Sequence, residues 1–243
     1  MTTPPGLPAL VARAHILLRQ VEAAGARRAV LGVVGAPGAG KSTLVDALLA
    51  ALAAAPPAGA DAGWVAHLPM DGFHLADAQL DRLGRRDRKG APDTFDARGY
   101  AASLARVRTE RDHTVFVPGF ERELEQPVAA ALAVRPEARL VLTEGNYLLL
   151  GAGGGAGDDA ADRSHREQGW GEVRALLDET WYVEVPDGVR RERLVARHVR
   201  FGKTPAAAAA WVDEVDEPNA RLVTAGRTHA DLVVDPDRLA LVP

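Results

Sequence analysis

The chain contains no cysteine among its 243 residues. Disulfides, thiolate metal sites and cysteine nucleophiles are therefore excluded, and a cytoplasmic location is the expectation. It also lacks an excess of charge of either sign. The formal net charge is −4, so nothing global points to a nucleic-acid partner or an anionic membrane. No long apolar run is present. The longest uncharged stretch, Ala47 to Ala60, contains Pro56-Pro57 and falls short of the roughly 20 residues a membrane span needs. Met1 to Pro8 has neither the basic start nor the apolar core of a secretory signal. Internal repeats are absent as well. What remains is a 47% apolar, 26% charged composition, close to the globular average and sufficient for one α/β domain with a lid.

Hydrophobic periodicity gives alternating elements. Leu7 to Ala24, Ser42 to Ala54, Arg98 to Thr109, Arg190 to Phe201 and Pro205 to Thr224 have helical period. Ala29 to Val34, Trp64 to Met70, Thr114 to Val117, Leu140 to Thr143, Thr180 to Val185 and Ala230 to Val234 are short strand-like runs. This alternation predicts a three-layer α/β fold with a central parallel sheet of about five strands. Residues 151–169, rich in Gly, Ala and Asp without a period, are expected to form a flexible loop. Residues 187–224 are the candidate helical lid of one domain spanning 1–243.

Between the first strand and the next helix stands Gly35-Ala36-Pro37-Gly38-Ala39-Gly40-Lys41-Ser42, followed by Thr43. The pattern G-x-x-x-x-G-K-[ST] in that context cradles a triphosphate. Its glycines let successive N–H groups turn inward at phosphate oxygens, and the new helix adds its positive end. Lys41 brings a cation to the β- and γ-phosphates, and Ser42 a hydroxyl to Mg²⁺. The motif establishes nucleoside triphosphate binding as the expectation. It does not separate kinases from ATPases or GTPases.

Two acids end strands on the rim where open α/β sheets bind ligands. Asp71 follows the second strand in Met70-Asp71-Gly72-Phe73-His74. A carboxylate there can take the proton of a hydroxyl attacking the γ-phosphorus. On the residues alone, a turn or cap role for Asp71 leads. Glu144 ends the buried run Leu140-Val141-Leu142-Thr143, where a lone acid is costly unless paired or metal-linked. It is the candidate Mg²⁺ carboxylate. Farther on, Arg193, Arg197 and Arg200 share one helical face, suited to neutralising a phosphoryl group in transit.

Several segments together carry a resemblance. They are the cradle, Met70 to His74, Arg88-Lys89-Gly90-Ala91-Pro92-Asp93-Thr94-Phe95-Asp96, Pro118-Gly119-Phe120-Glu121-Arg122, Glu144-Gly145-Asn146-Tyr147 and the late arginines. In order and spacing they resemble the P-loop kinases that include uridine kinases, type I pantothenate kinases and phosphoribulokinases, in particular the bacterial fructokinase-like branch. The likeness runs from about Ala29 to Val234. It implies Asp71 as catalytic base, reversing the order of the two readings above. It also implies Glu144 as Mg²⁺ ligand and Arg193 or Arg197 as lid contacts. Arg122 stands where pantothenate kinases carry a histidine, and Gly72 where uridine kinases carry a serine. The acceptor is thus open among nucleoside, pantothenate-like and sugar hydroxyls. His74, Phe95, Phe120 and Arg122 are the candidate acceptor-site residues.

The function expected is transfer of the γ-phosphoryl group of Mg-ATP to a small metabolite's hydroxyl. The alternative is a regulatory ATPase module without an acceptor. A GTPase switch would want Asn-Lys-x-Asp, which the sequence lacks. Relatives dimerise, so a homodimer is an open expectation.

Overall fold

The structure, a computed structural model, describes residues 6–152 and 160–236. Helix α1 (Leu7–Ala23) leads into strand β1 (Ala29–Val34), and helix α2 (Lys41–Ala54) into the short strand β2 (Val65–His67). Helix α3 (Asp77–Leu83) and helix α4 (Ala97–Thr109) follow, then strands β3 (Val115–Glu121), β4 (Gln126–Val134) and β5 (Leu140–Gly145). Helices α5 (Ala160–Glu167) and α6 (Trp170–Arg174) precede strand β6 (Glu179–Val183). The chain closes with helices α7 (Asp187–Arg200), α8 (Pro205–Trp211) and α9 (Glu217–Ala225), then strand β7 (Leu232–Val234).

Five strands form one parallel sheet in the order β2-β5-β1-β6-β7. Its central strand β1 is apolar at five of six positions because both faces are covered, as parallel sheets require. Successive side chains go to opposite faces. Val30 and Val34 join one core with Tyr100, Leu104, Trp170 and Val223, under α4, α6 and α9. Leu31 and Val33 join the other with Leu10, Leu17, Leu44 and Leu48, under α1 and α2. The result is the expected three-layer α/β fold with a central parallel sheet.

Two expectations are corrected. The run at 114–117 does not enter the sheet. It begins β3, which pairs antiparallel with β4 to make a separate ribbon. β4 was not legible because its middle, Val128 to Ala131, is exposed and alanine-rich, so no buried alternation marks it. Residues 151–169 are not wholly a loop either. Residues 153–159 lie outside the described residues, but α5 occupies Ala160–Glu167. Its sequence, Ala160 to Glu167, carries no large apolar residue to mark it, and the fully buried Trp170 that follows donates Nε1–H to the Pro92 carbonyl at 3.3 Å.

Candidate functional site

The sheet order decides what meets at its C-terminal rim. β2, β5 and β1 are neighbours, with Val33 beside Glu144 and Val34 beside Gly145. The loop after β1, the acid ending β5 and the turn after β2 therefore share one edge. A cavity of about 670 Å³ opens there. Gly38 and Gly40 hold φ of 80° and 90°, the left-handed region that glycine alone enters cheaply. A side chain at Gly38 would also strike the Arg190 carbonyl at 2.8 Å. The loop is thus curled against α7, and α2 starts at Lys41 with its N-terminus aimed into the cavity.

Pro37, Gly38, Lys41 and Ser42 line the cavity, whereas Gly35, Ala36, Ala39, Gly40 and exposed Thr43 shape or flank the loop without lining it. Lys41 is buried, and that desolvation pushes its pKa down against the pull of Glu144 and Asp71. Its Nζ donates to Asn146 Oδ1 at 2.7 Å and to the Ala36 carbonyl at 3.3 Å. Asn146 was not singled out in the sequence, although it sits two residues past Glu144 in a segment already marked. Ser42 Oγ donates to Glu144 Oε1 at 3.1 Å. Burial, with Asp71 adding to it, pushes the Glu144 carboxyl up to about 7. A hydroxyl and a carboxylate this close are hard oxygen donors of the kind Mg²⁺ takes, with nucleotide phosphates and water completing the shell. The residues present therefore fit the ion.

Asp71 sits in a 3₁₀ turn, Met70–Phe73, directly after β2. Gly72 lets that turn touch the ribbon, since a Cβ there would lie 2.3 Å from the Pro118 carbonyl oxygen. Across the contact, Arg122 at the end of the ribbon donates Nη2–H to Asp71 Oδ2 at 2.9 Å. Desolvation alone would raise the Asp71 pKa. His74, Arg122, Lys41 and Arg197 together outweigh it and hold the carboxyl below its usual range. His74 Nδ1–H donates to the Asp71 carbonyl at 2.8 Å, and the ring lies tilted against Phe95 and Phe120, with centroids 3.9 and 5.0 Å away. All four candidate acceptor-site residues, His74, Phe95, Phe120 and Arg122, line the cavity.

Helices α7 to α9 cover the opening. Arg197 lines the cavity, near enough to both Lys41 and Asp71 to perturb them, and carries no ion pair among the described residues. Arg193 does not line it. The Arg193 guanidinium lies beside the cradle, 3.7 Å from where a Cβ on Gly40 would stand. Between α8 and α9 the helix widens into a π turn at Val212–Asp216. His198, Trp211, Asp216 and Asn219 also line the cavity. None of these four was among the candidate site residues read from the sequence. Helical period cannot show which polar residues of a covering helix face inward when a π turn shifts the register.

Comparison with known proteins bears on the family. The family model of the methylmalonyl-CoA mutase-associated GTPase MeaB matches residues 6–70, a stretch that holds the phosphate loop and stops just before Asp71. The ATP-dependent kinase-like protein notR′ of Aspergillus versicolor is 38% identical over 148 residues, covering 58% of this chain and 77% of that protein. A Schizosaccharomyces pombe protein named "Putative uridine kinase C227.14" is 30% identical over 222 residues, 89% of this chain and 86% of its own length. The crystal structure of a "putative fructose transport system kinase" from Silicibacter sp. TM1040 superposes with a TM-score of 0.74 at 34% identity, covering 92% of this chain and 98% of that one. The chain belongs to the uridine kinase and fructokinase-like family of P-loop proteins.

Proposed function

We propose that the protein is an ATP-dependent kinase that transfers the γ-phosphoryl group of Mg-ATP to a hydroxyl of a small metabolite. The single observation that carries this reading is the placement of Asp71 on the same cavity as Lys41 and the Ser42–Glu144 pair. A triphosphate tail lying on the cradle would present its γ-phosphorus toward Asp71. The acceptor oxygen forms the new P–O bond, the bond to the ADP oxygen breaks, and Asp71 takes the hydroxyl proton. Ser42 and Glu144 would hold Mg²⁺, which when bound would supply charge neutralisation at the phosphates. Arg197, close to both Lys41 and Asp71, is the cation best placed to follow charge onto the transferring group. Names of relatives, which include a uridine kinase and a fructose-system kinase, favour a nucleoside or sugar hydroxyl as acceptor.

The test is ADP release in the presence of Mg-ATP and candidate acceptors. Turnover that depends on an acceptor is expected. Asp71→Asn should lose about two to four orders of magnitude in kcat, the usual worth of a general base, while still binding ATP. Lys41→Ala should weaken ATP binding itself. Wild-type turnover in Asp71→Asn would remove Asp71 as the base. ATP hydrolysis that no acceptor stimulates would favour a regulatory ATPase instead.

A further inference from the structure

Resting on the triphosphate cradle of that kinase reading, we infer that Asn146 is a positioning residue of the phosphate site. It aims the Lys41 ammonium at the β- and γ-phosphates, and so makes affinity depend on the length of the phosphate tail. Lys41 is 8% exposed and carries three N–H donors. One goes to the Ala36 carbonyl of its own loop at 3.3 Å, and one to Asn146 Oδ1 at 2.7 Å. Two fixed acceptors set the direction of a tetrahedral ammonium, so the third N–H has one heading left. Asn146 supplies the shorter bond, and supplies it from outside the loop. Both residues line the cavity.

The amide suits this role better than an acid would. Glu144 and Asp71 both attract the Lys41 charge. A carboxylate in direct contact would draw the ammonium to itself and cancel much of the charge that a phosphate needs. An amide oxygen accepts without a charge of its own. It keeps the ammonium from collapsing onto either acid and leaves the charge for the nucleotide.

Asn146 is itself held on both sides. Gly145 packs on the turn that carries Asp71, since a Cβ there would lie 2.5 Å from Met70 Cβ. Tyr147 is fully buried, and its hydroxyl donates to the Gly90 carbonyl at 2.5 Å. The amide thus hangs from a pinned stretch of backbone, the support that a group needs if it is to orient another.

Calorimetry on the full chain with Mg-ATP, ADP and AMP tests this without any acceptor. Asn146→Leu keeps the size of the side chain and removes the oxygen. It should weaken ATP and ADP binding by about 10-fold or more, as loss of a hydrogen bond to a charged group does. AMP binding should change by less than about 2-fold, because AMP has no β-phosphate for Lys41 to reach. In a Lys41→Ala background the same substitution should alter ATP affinity by less than about 2-fold, since nothing is left to orient. Circular dichroism melting identifies a variant that does not fold, and Asn146→Ala then takes its place. Unchanged ATP affinity in a folded variant would overturn the inference. Equal losses for ATP and AMP, or the full loss repeated without Lys41, would assign Asn146 to shaping the loop and overturn it too. A wild-type chain that binds no ATP would remove the cradle and this role together. Failure of the kinase reading shows separately, as ATP binding without acceptor-dependent turnover.

Discussion

Among single residues, Arg122 shows how the structure changes a reading. The sequence offered it as an acceptor contact, and it does line the cavity, but its guanidinium is already on Asp71 at 2.9 Å. An adjacent arginine stabilises a carboxylate's charged form and lowers its pKa. Asp71 needs that help, because burial pushes the other way. Arg122 is therefore a positioning residue that keeps the proposed base ionised. Arg122→Ala should raise the Asp71 pKa, so the acid limb of the kcat profile moves to higher pH. The limb should move up only part of the way, because His74, Lys41 and Arg197 also hold the Asp71 carboxyl down. Arg122→Lys should reverse most of the shift. A lost rate with an unmoved limb would assign Arg122 to acceptor binding alone.

Arg28 makes the opposite case. It is 3% exposed and donates to the carbonyls of Ala138 at 2.8 Å, Arg135 at 3.0 Å and Glu110 at 3.2 Å, as well as to Val107. It ties the ends of α4 and β4 to the start of β1 and belongs to the scaffold. Nothing local in the sequence separates a scaffold arginine from a site arginine, since the difference lies in partners more than 70 residues away.

For elements, the legible parts were those whose own pattern carries the signal. β1 and β5 are continuous apolar runs, and the cradle between β1 and α2 has fixed spacing, so both emerged with nearly correct bounds. β2 was overestimated because Pro69 follows it and the chain turns at Met70. The β3–β4 ribbon was half missed, since two-stranded antiparallel pairing depends on a partner that local periodicity does not reveal. That ribbon matters, because it delivers Phe120 and Arg122 to the site and docks on the Asp71 turn through Gly72. A Cβ at Gly72 would lie 2.3 Å from the Pro118 oxygen and 2.6 Å from its carbon, and backbone cannot step aside like a flexible side chain. Gly72→Ala should destabilise by about 1–3 kcal/mol, the range for overpacking. It should also lower kcat by displacing Asp71. Equilibrium urea unfolding checks the first effect, and unaltered stability would mean the ribbon is not held at this contact.

Over the whole molecule, the start of α7 packs the cover directly onto the cradle. Arg190, 2% exposed, pairs with Glu217 of α9 and Asp187 of its own helix and donates to the Pro37 carbonyl at 3.4 Å. Its backbone and Leu194 close against Gly38. One arginine thus links α7, α9 and the phosphate loop. Breaking a buried pair by removing one partner typically costs about 3–5 kcal/mol. Arg191 stays 3.4 Å from Glu217, so Arg190→Met should cost less, about 2–3 kcal/mol. It should also raise the KM for ATP, because the loop loses its brace. Arg197 sits one turn beyond Arg193 on the same helix and has no ion pair among the described residues. Its removal leaves no buried charge stranded. Arg197→Ala should therefore change unfolding stability by less than about 0.5 kcal/mol, as surface substitutions do, while kcat falls by at least 10-fold. Urea unfolding and initial rates on both variants give the comparison. If Arg197→Ala loses as much stability as Arg190→Met, Arg197 is a structural brace like Arg190. Phosphoryl-transfer chemistry would then have to find its cation elsewhere, with Arg193 beside Gly40 the next residue to test.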